Sequence, residues 1–310
     1  MRVLVTGGAG FVGSHIAEHL VSHGHEVHII DNLTTGVREN VPAGAHLLYD
    51  GECGLKDVAS YMKRTLQYDA VVHAAAYADI SANWTDASER ARIWDTNLMG
   101  TMALMEHLAA SQEHLKKVVF LSTAAVYGDS RGHAFNESDL PAPSSPYAAS
   151  KLAGEALVQN FCDQHQWGCH ILRLASVVGA RYHHGHIADF VYMHRQMAVI
   201  QARDSGTQWK SYVHARDVAE TVAYMMTDRY PQGVLNVASN ETWSIRQTID
   251  CMRETRWVEA TFAQVARGWP GDPLNLVIRD RLLDGNGGLL HRRPIADGVR
   301  DALATLGWTS

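Results

Sequence analysis

A doubly wound α/β fold built on a parallel sheet is the expectation for this 310-residue chain, and three observations carry it. The turn Gly7-Gly8-Ala9-Gly10-Phe11-Val12-Gly13 follows a β-branched run and opens a helical pattern. Short apolar runs then alternate with helical stretches through the first half of the chain, the signature of strand–helix–strand units. Those runs are continuous rather than alternating in polarity, as in strands covered on both faces.

The elements follow in order. Val3–Val5 is the first strand and Val12–His23 the first helix, with Gly24 placed to cap its end in the left-handed conformation. Glu26–Ile30, His46–Tyr49 and Ala70–His73 are the next strands. A long helix runs from about Arg90 to Ser111, followed by a strand at Lys117–Leu121. Tyr147–His165 is a helix that Ser145 caps and Pro146 starts, and His170–Leu174 is a strand. After about Ser176 the pattern loosens and Gly, His, Pro and Trp become frequent. There, Ser244 and Gln247 form a capping box for a helix toward Glu254, and Arg293–Leu306 reads as another helix.

Composition excludes several classes. The chain is 46% hydrophobic and 19% charged with a net charge of -6, ordinary for a globular protein with a sizeable core. No basic block occurs, which argues against a nucleic-acid or anionic-membrane surface but leaves room for a local phosphate pocket. No apolar stretch approaches the ~18 residues of a membrane span. Cys53, Cys162, Cys169 and Cys251 form no Cys-x-x-Cys pair and read as free thiols of a reducing compartment. Met1 leads almost directly into a strand, so no signal peptide is expected and a cytoplasmic location follows.

The glycine turn is suited to a dinucleotide. Gly7 permits the tight turn, Gly10 lets the backbone approach a pyrophosphate, and Gly13 lets the helix pack close to the sheet. Helix-start amides then face the phosphates. Asp31 ends the second strand 18 residues after Gly13, where a carboxylate accepts both ribose hydroxyls and repels a 2′-phosphate. Asn32 and Leu33 follow rather than an arginine, so NAD is favoured over NADP.

Tyr147 and Lys151 lie four apart and share one helix face. A free tyrosine titrates near ~10, too high for a base at neutral pH. The helix start, Lys151 and an oxidised nicotinamide are the positive groups that lower it. Ser122 and Thr123 end a strand at the edge where such sheets bind ligands, placed to orient a substrate hydroxyl toward Tyr147.

These segments, with Asp31-Asn-Leu, His73-Ala-Ala-Ala, Asn97-Leu-Met-Gly-Thr and Ser122-Thr-Ala-Ala-Val-Tyr-Gly, resemble the extended short-chain dehydrogenase/reductase superfamily. The branch is similar to the nucleotide-sugar 4-epimerases of the UDP-glucose 4-epimerase type within the NAD-dependent epimerase/dehydratase family. The resemblance is strong to about Gly179 and thinner beyond. It implies a Rossmann NAD-binding domain over residues 1–175. Residues 176–310 would then form a smaller, mainly substrate-binding α/β region, with some segments returning to the sheet. It implies Thr123, Tyr147 and Lys151 as catalytic residues, with Asn97 supporting the lysine through an ordered water. The implied cofactor set is Gly7, Gly10, Phe11, Val12, Gly13, Asp31, Asn32, Asp50, Ala74, Ala75, Asn97, Tyr147 and Lys151.

The implied substrate set is Ser122, Thr123, Tyr147, Ser176, His186, Lys210 and Arg267. Three substrate-side positions depart from the family, two of them in this set. Ser176 stands where an Asn usually contacts the diphosphate, shortening the reach and removing an amide donor. Lys210 replaces an Arg, a point charge in place of a fork. Trp269 occupies the usual Arg position three before Asp272, leaving Arg267 to supply the charge. Pocket shape depends on Ala76–Trp84 and the loop around Tyr182 and His183. The 18 histidines, including His15, His19 and His23 at helical spacing, lack acidic or cysteine partners and read as surface and loop residues, not a metal site.

The expected activity is an NAD-dependent 4-epimerisation through a transient 4-keto sugar, with UDP-hexoses the favoured substrates. A 4,6-dehydratase of this type carries an Asp-Glu pair after the threonine, whereas this chain has Ala124-Ala125. A net 4-ketoreductase or dehydrogenase uses the same residues. A non-catalytic NAD-binding protein tends to lose the tyrosine or lysine retained here. The family also implies a homodimer through a four-helix bundle of Arg90–Ser111 and Tyr147–His165.

Overall fold

The computed structural model describes residues 1–49, 51, 54–58, 62, 65–78, 86–130, 132–202, 204–227, 230, 232–262, 273, 275–282 and 292–308. The chain runs β1 (Arg2–Thr6), α1 (Phe11–Ser22), β2 (Glu26–Ile30), β3 (Ala45–Tyr49), β4 (Ala70–His73), α2 (Ala87–Trp94), a π-helical turn (Asp95–Met99), α3 (Gly100–Ser111) and β5 (Lys117–Thr123). It continues through α4 (Pro146–His165), β6 (Gly168–Leu174), β7 (Ser176–Val178), α5 (His186–Met197), β8 (Val199–Ala202), β9 (Trp209–His214) and α6 (Ala215–Met225). Then come β10 (Gly233–Val237), β11 (Thr242–Ser244), α7 (Ile245–Thr255), β12 (Glu259–Phe262) and α8 (Ile295–Thr305).

A seven-stranded sheet in the order β3-β2-β1-β4-β5-β6-β10 forms the centre, and every neighbouring pair is parallel. Successive residues of its strands face opposite cores, which is why the runs are apolar throughout. Val3, Val5, Val119 and Leu121 pack on one side with Ile16 of α1 and Val218 and Val222 of α6. Leu4, Val118 and Phe120 pack on the other with Leu104 of α3 and Val158 of α4. The strand order reverses between β1 and β4, with β2 and β3 laid out to one side and β5, β6 and β10 to the other, so the carboxyl ends of β1 and β4 flank the crevice where α/β sheets receive ligands.

The expected strands are present, extended by one or two residues where pairing continues past the apolar run. α1 closes at Gly24 (φ +77°), with Gly24 N–H bonded to Val21 C=O at 3.0 Å and His25 N–H to Leu20 C=O at 3.1 Å. The long helix expected from Arg90 to Ser111 is present as one helical run, α2, π turn and α3 following without a break in helical backbone, and it begins earlier, at the Asp86 cap whose carboxylate accepts the Ser88 and Glu89 amides. Ser244 and Gln247 make the expected capping box for α7. Helices α5 and α6 lie in the stretch whose pattern looked loose; α6 carries Val218, Ala219, Val222 and Met225 on its buried face.

β10 joins the central sheet beside β6. The remaining late strands form β11-β9-β7 and β12-β8 ribbons over a second core of Val178, Ile187, Val191, Tyr212, Ile249, Val299 and Leu303. Buried Lys117 ties the two parts together, donating to the Met225, Met226 and Thr227 carbonyls at the end of α6 at 3.0–3.3 Å. Among the described residues no helix is long and apolar enough to cross a membrane.

Candidate active site

Gly7 adopts φ +69°, and a Cβ there would lie 2.7 Å from the Ala75 amide nitrogen. Only glycine lets β1 turn this close to the loop after β4. A Cβ on Gly13 would sit 2.1 Å from the Gly7 carbonyl, so α1 starts directly against the turn. α1 has no side-chain cap and no acidic residue in its first turn, which leaves its amides open to an anion. Phe11 turns away to pack edge-on against Tyr182 and His15.

Asp31 is buried at the end of β2. Its Oδ2 accepts the Ala9 amide at 2.9 Å and its Oδ1 the Leu33 amide at 2.9 Å. The carboxylate is thereby held against the glycine turn with lone pairs to spare for ribose hydroxyls. Asn32 closes a local turn by accepting the Thr34 amide at 3.2 Å. Ala74 donates to the Thr6 carbonyl at 3.1 Å and Ala75 to the Thr6 hydroxyl at 3.3 Å, lining the other wall. Asp50 lies outside the described residues.

The second cluster sits at the carboxyl end of β5 and the start of α4. Ser145 accepts the Ala148 amide at 3.2 Å and Pro146 occupies the first turn, so Tyr147 stands at the positive end of the helix. Thr123 is the side chain beside the Tyr147 phenol that favours its ionised form. Burial pushes this phenol up to about 12, with the Thr123 contact pulling the other way. Burial pushes the Lys151 ammonium down to about 7, with Glu155 opposing. Lys151 Nζ lies 4.1 Å above the Phe120 ring. Each group disfavours its charge alone, so a phenolate and an ammonium here stabilise one another.

Asn97 projects inward from the π turn, a common use of such bulges. Its Nδ2 donates to Ser150 Oγ and to the Tyr77 carbonyl, both at 3.0 Å, and its Oδ1 accepts the Tyr77 amide at 2.7 Å. Deeper still, His73 bridges the Thr6 hydroxyl at 2.7 Å and the Thr101 hydroxyl at 2.9 Å. Burial, and secondarily Lys151, push this imidazole down to about 3.

The Ser122 hydroxyl donates to the buried carboxylate of Glu155, below the site. Glu155 is in turn paired with Arg173 at 2.7 Å. Sequence reasoning did not single out Glu155 or Arg173, and it named His73 only within a motif, yet Glu155 and His73 lie near Lys151 and Arg173 pairs with Glu155. The signal for Glu155 was an acid on the inner face of α4, one turn beyond Lys151; its partner lies on a strand only the tertiary fold brings there.

The substrate-side positions are more scattered. Half-buried Ser176 pairs with Tyr212 in the β7–β9 register. His186 opens α5, and its Nε2 meets the Tyr212 hydroxyl at 2.9 Å, so its ring is held by the protein's own tyrosine. Burial, then Lys210, push that imidazole down to about 3. Lys210 lies on β9, its backbone bridged to Leu276. Arg267, Trp269 and the segment 79–85 lie outside the described residues. His15 is not the surface residue expected: it is 4% exposed and bonds the Ala180 carbonyl at 2.9 Å, because α1 packs under the later half of the chain.

A model of the NAD dependent epimerase/dehydratase family matches residues 3–238. The chain is 32% identical to a UDP-glucose 4-epimerase of Streptomyces lividans, over 81% of this chain and 80% of that protein. It is 27% identical to a dTDP-D-glucose 4,6-dehydratase of Mus musculus, over 82% and 74% of the two chains. The crystal structure of a Thermus thermophilus UDP-glucose 4-epimerase in complex with NAD superposes with a TM-score of 0.83 at 30% identity, covering 99% of both chains.

Proposed function

The chain belongs to the NAD dependent epimerase/dehydratase family, and we propose that it is an NAD-dependent nucleotide-sugar 4-epimerase acting on a UDP-hexose. The observation that carries this reading is the buried Tyr147–Lys151 face of α4 with Thr123 beside the phenol. Residues 1–175 bind NAD and 176–310 mainly the substrate, with β10 serving the sheet.

The cradle of Gly7, Gly10, Phe11, Val12 and Gly13 fits a pyrophosphate, and Asp31 with Asn32 fits the adenosine ribose. Ala74, Ala75, Asn97, Tyr147 and Lys151 stand on the nicotinamide side. Bound there, NAD supplies a reversible hydride acceptor. Tyr147 takes the proton of the sugar 4-hydroxyl and returns it once the 4-keto sugar has presented its other face. Thr123 holds the reacting oxygen. Lys151 stabilises the phenolate, and its ammonium is in turn favoured by that negative charge. Ser176, Lys210 and Arg267 are proposed for the diphosphate side, and His186 for shaping the pocket wall through Tyr212.

Ala124 and Ala125 supply neither acid nor base for eliminating water, which separates this chain from the dehydratases it also resembles. We also propose a cytoplasmic homodimer. The interface would form on the outer faces of Arg90–Ser111 and Tyr147–His165, where Met99 stands 43% exposed.

The test is to incubate purified protein with UDP-, GDP- and dTDP-sugars without added cofactor, reading products by mass and proton NMR. An isomer at unchanged mass is the expected result and names the substrate. Loss of water identifies a dehydratase, and turnover only with added NAD or NADH a net oxidoreductase; either replaces the proposed activity.

A further inference from the structure

Directly beneath the Tyr147–Lys151 face lies a buried ion pair that no step described so far uses. Tyr147, Lys151 and Glu155 follow one another at four-residue steps on α4 and share one face. Glu155 is 4% exposed and Arg173, on β6, 5%. Arg173 Nη2 donates to Oε2 at 2.7 Å, and its Nε to Oε1 at 3.0 Å and Oε2 at 3.2 Å. The Ser122 hydroxyl donates to the same carboxylate, and Ser122 immediately precedes Thr123. On the far side the guanidinium lies 4.7 Å from the Tyr127 ring centroid, and Tyr127 donates to Asn236 Oδ1 at 2.9 Å.

Stability alone does not account for such a pair, since apolar residues of the same volume usually serve as well or better. Its position is informative. The groups facing Lys151 are Tyr147 and Glu155 from α4, neutral His73 from β4, the Phe120 ring from β5, and Arg173 from β6 by way of Glu155. The π turn presents only uncharged Asn97, through Ser150. Among the described residues, Glu155 is the carboxylate acting on Lys151.

We infer that Glu155 and Arg173 are positioning residues for the reaction. Glu155 sets the charge balance around the Lys151 ammonium and anchors, through Ser122, the strand end that presents Thr123, while Arg173 keeps that carboxylate in place. The inference rests on the epimerase reading of Tyr147 and Lys151. Burial alone would lower the Arg173 guanidinium, yet the Glu155 carboxylate holds it above its ordinary value.

The experiment is the pH profile of kcat, with KM, for the NAD-loaded wild type, Glu155→Gln, Arg173→Met and the double variant. Removing a negative charge lowers the pKa of every neighbour and removing a positive charge raises it. Glu155→Gln is expected to move both limbs of the profile to lower pH by about one unit, and Arg173→Met to move both to higher pH by about one unit. The double variant should return near the wild-type midpoints with KM little changed. Equal losses of kcat in all variants with unmoved limbs, or no return in the double variant, would overturn the inference. A readout independent of turnover is the phenolate absorbance of Tyr147, titrated in NAD-loaded protein against a Tyr147→Phe reference. Opposite shifts there support the pair's role even if no nucleotide sugar is turned over, an outcome that would instead defeat the epimerase reading. Unmoved phenolate titrations overturn it.

Discussion

Asn97 donates its Nδ2 hydrogen to Ser150 Oγ at 3.0 Å, and Ser150 donates to the Tyr147 carbonyl at 2.8 Å. The π turn is thus bonded to the first turn of α4. The same asparagine holds both backbone groups of Tyr77, at the loop that lines the cofactor crevice. Replacing Asn97 with Ala leaves these buried groups unpaired, at a cost of about 1–3 kcal/mol. A shifted α4 should also lower kcat about tenfold to a hundredfold. Urea denaturation and steady-state kinetics check both; unchanged kcat at lowered stability would limit Asn97 to a structural role.

Tyr147→Phe removes the group proposed to move the proton while keeping the ring. Turnover should fall by about 10²–10⁴-fold or more, with NAD retained. Single-turnover assays and the NAD content of the purified variant test this. Normal turnover in the Phe variant would defeat the mechanism.

The dyad should mark the stability of the cofactor-free protein. Lys151 titrates near 7 in the folded protein against 10.5 ordinarily, so between those values the unfolded chain holds a proton the folded one has released. Stability therefore rises with pH across that window. Above about 10 Tyr147 reverses the trend, because the folded phenol keeps its proton to about 12. On the acid side, burial holds His73 and His186 near 3 and His170 near 4, against 6.5 ordinarily. Protons then favour the unfolded chain as pH falls below 6.5, and stability declines. Thermal denaturation from pH 5 to 9 should show a rise throughout. Lys151→Met should flatten it above pH 7, and an unaltered slope in that variant would contradict the assignment.

Asp31→Ala should weaken NAD binding by about ten- to a hundredfold, the range for losing hydrogen bonds to a charged group. It should also narrow the preference over NADP, because the carboxylate that repels a 2′-phosphate is gone. Equilibrium binding of both cofactors to stripped protein decides this; an unchanged NAD/NADP ratio would show that Asp31 serves only the Ala9 and Leu33 amides.

Much of this protein is legible in its residues one after another. Glycine spacing, β-branched runs and caps such as Ser145 and Ser244 act within a few positions. They determine turns, strands and helix starts whatever lies opposite. Helical spacing likewise places Tyr147 and Lys151 on one face.

The tertiary fold decided what those faces meet. Ser122 reads as a strand-end hydroxyl, and β5 carries it over α4, where the Glu155 carboxylate accepts its hydrogen bond. The π turn after Trp94 lets Asn97 reach Tyr77 and Ser150, partners 20 and 53 positions away. His186 meets Tyr212 because Tyr212 packs in the same core as Ile187, Phe190 and Val191 of α5. Local sequence sets backbone conformation through short-range sterics and hydrogen bonds. Buried polar groups must instead find partners wherever packing brings them, and those pairings are long-range.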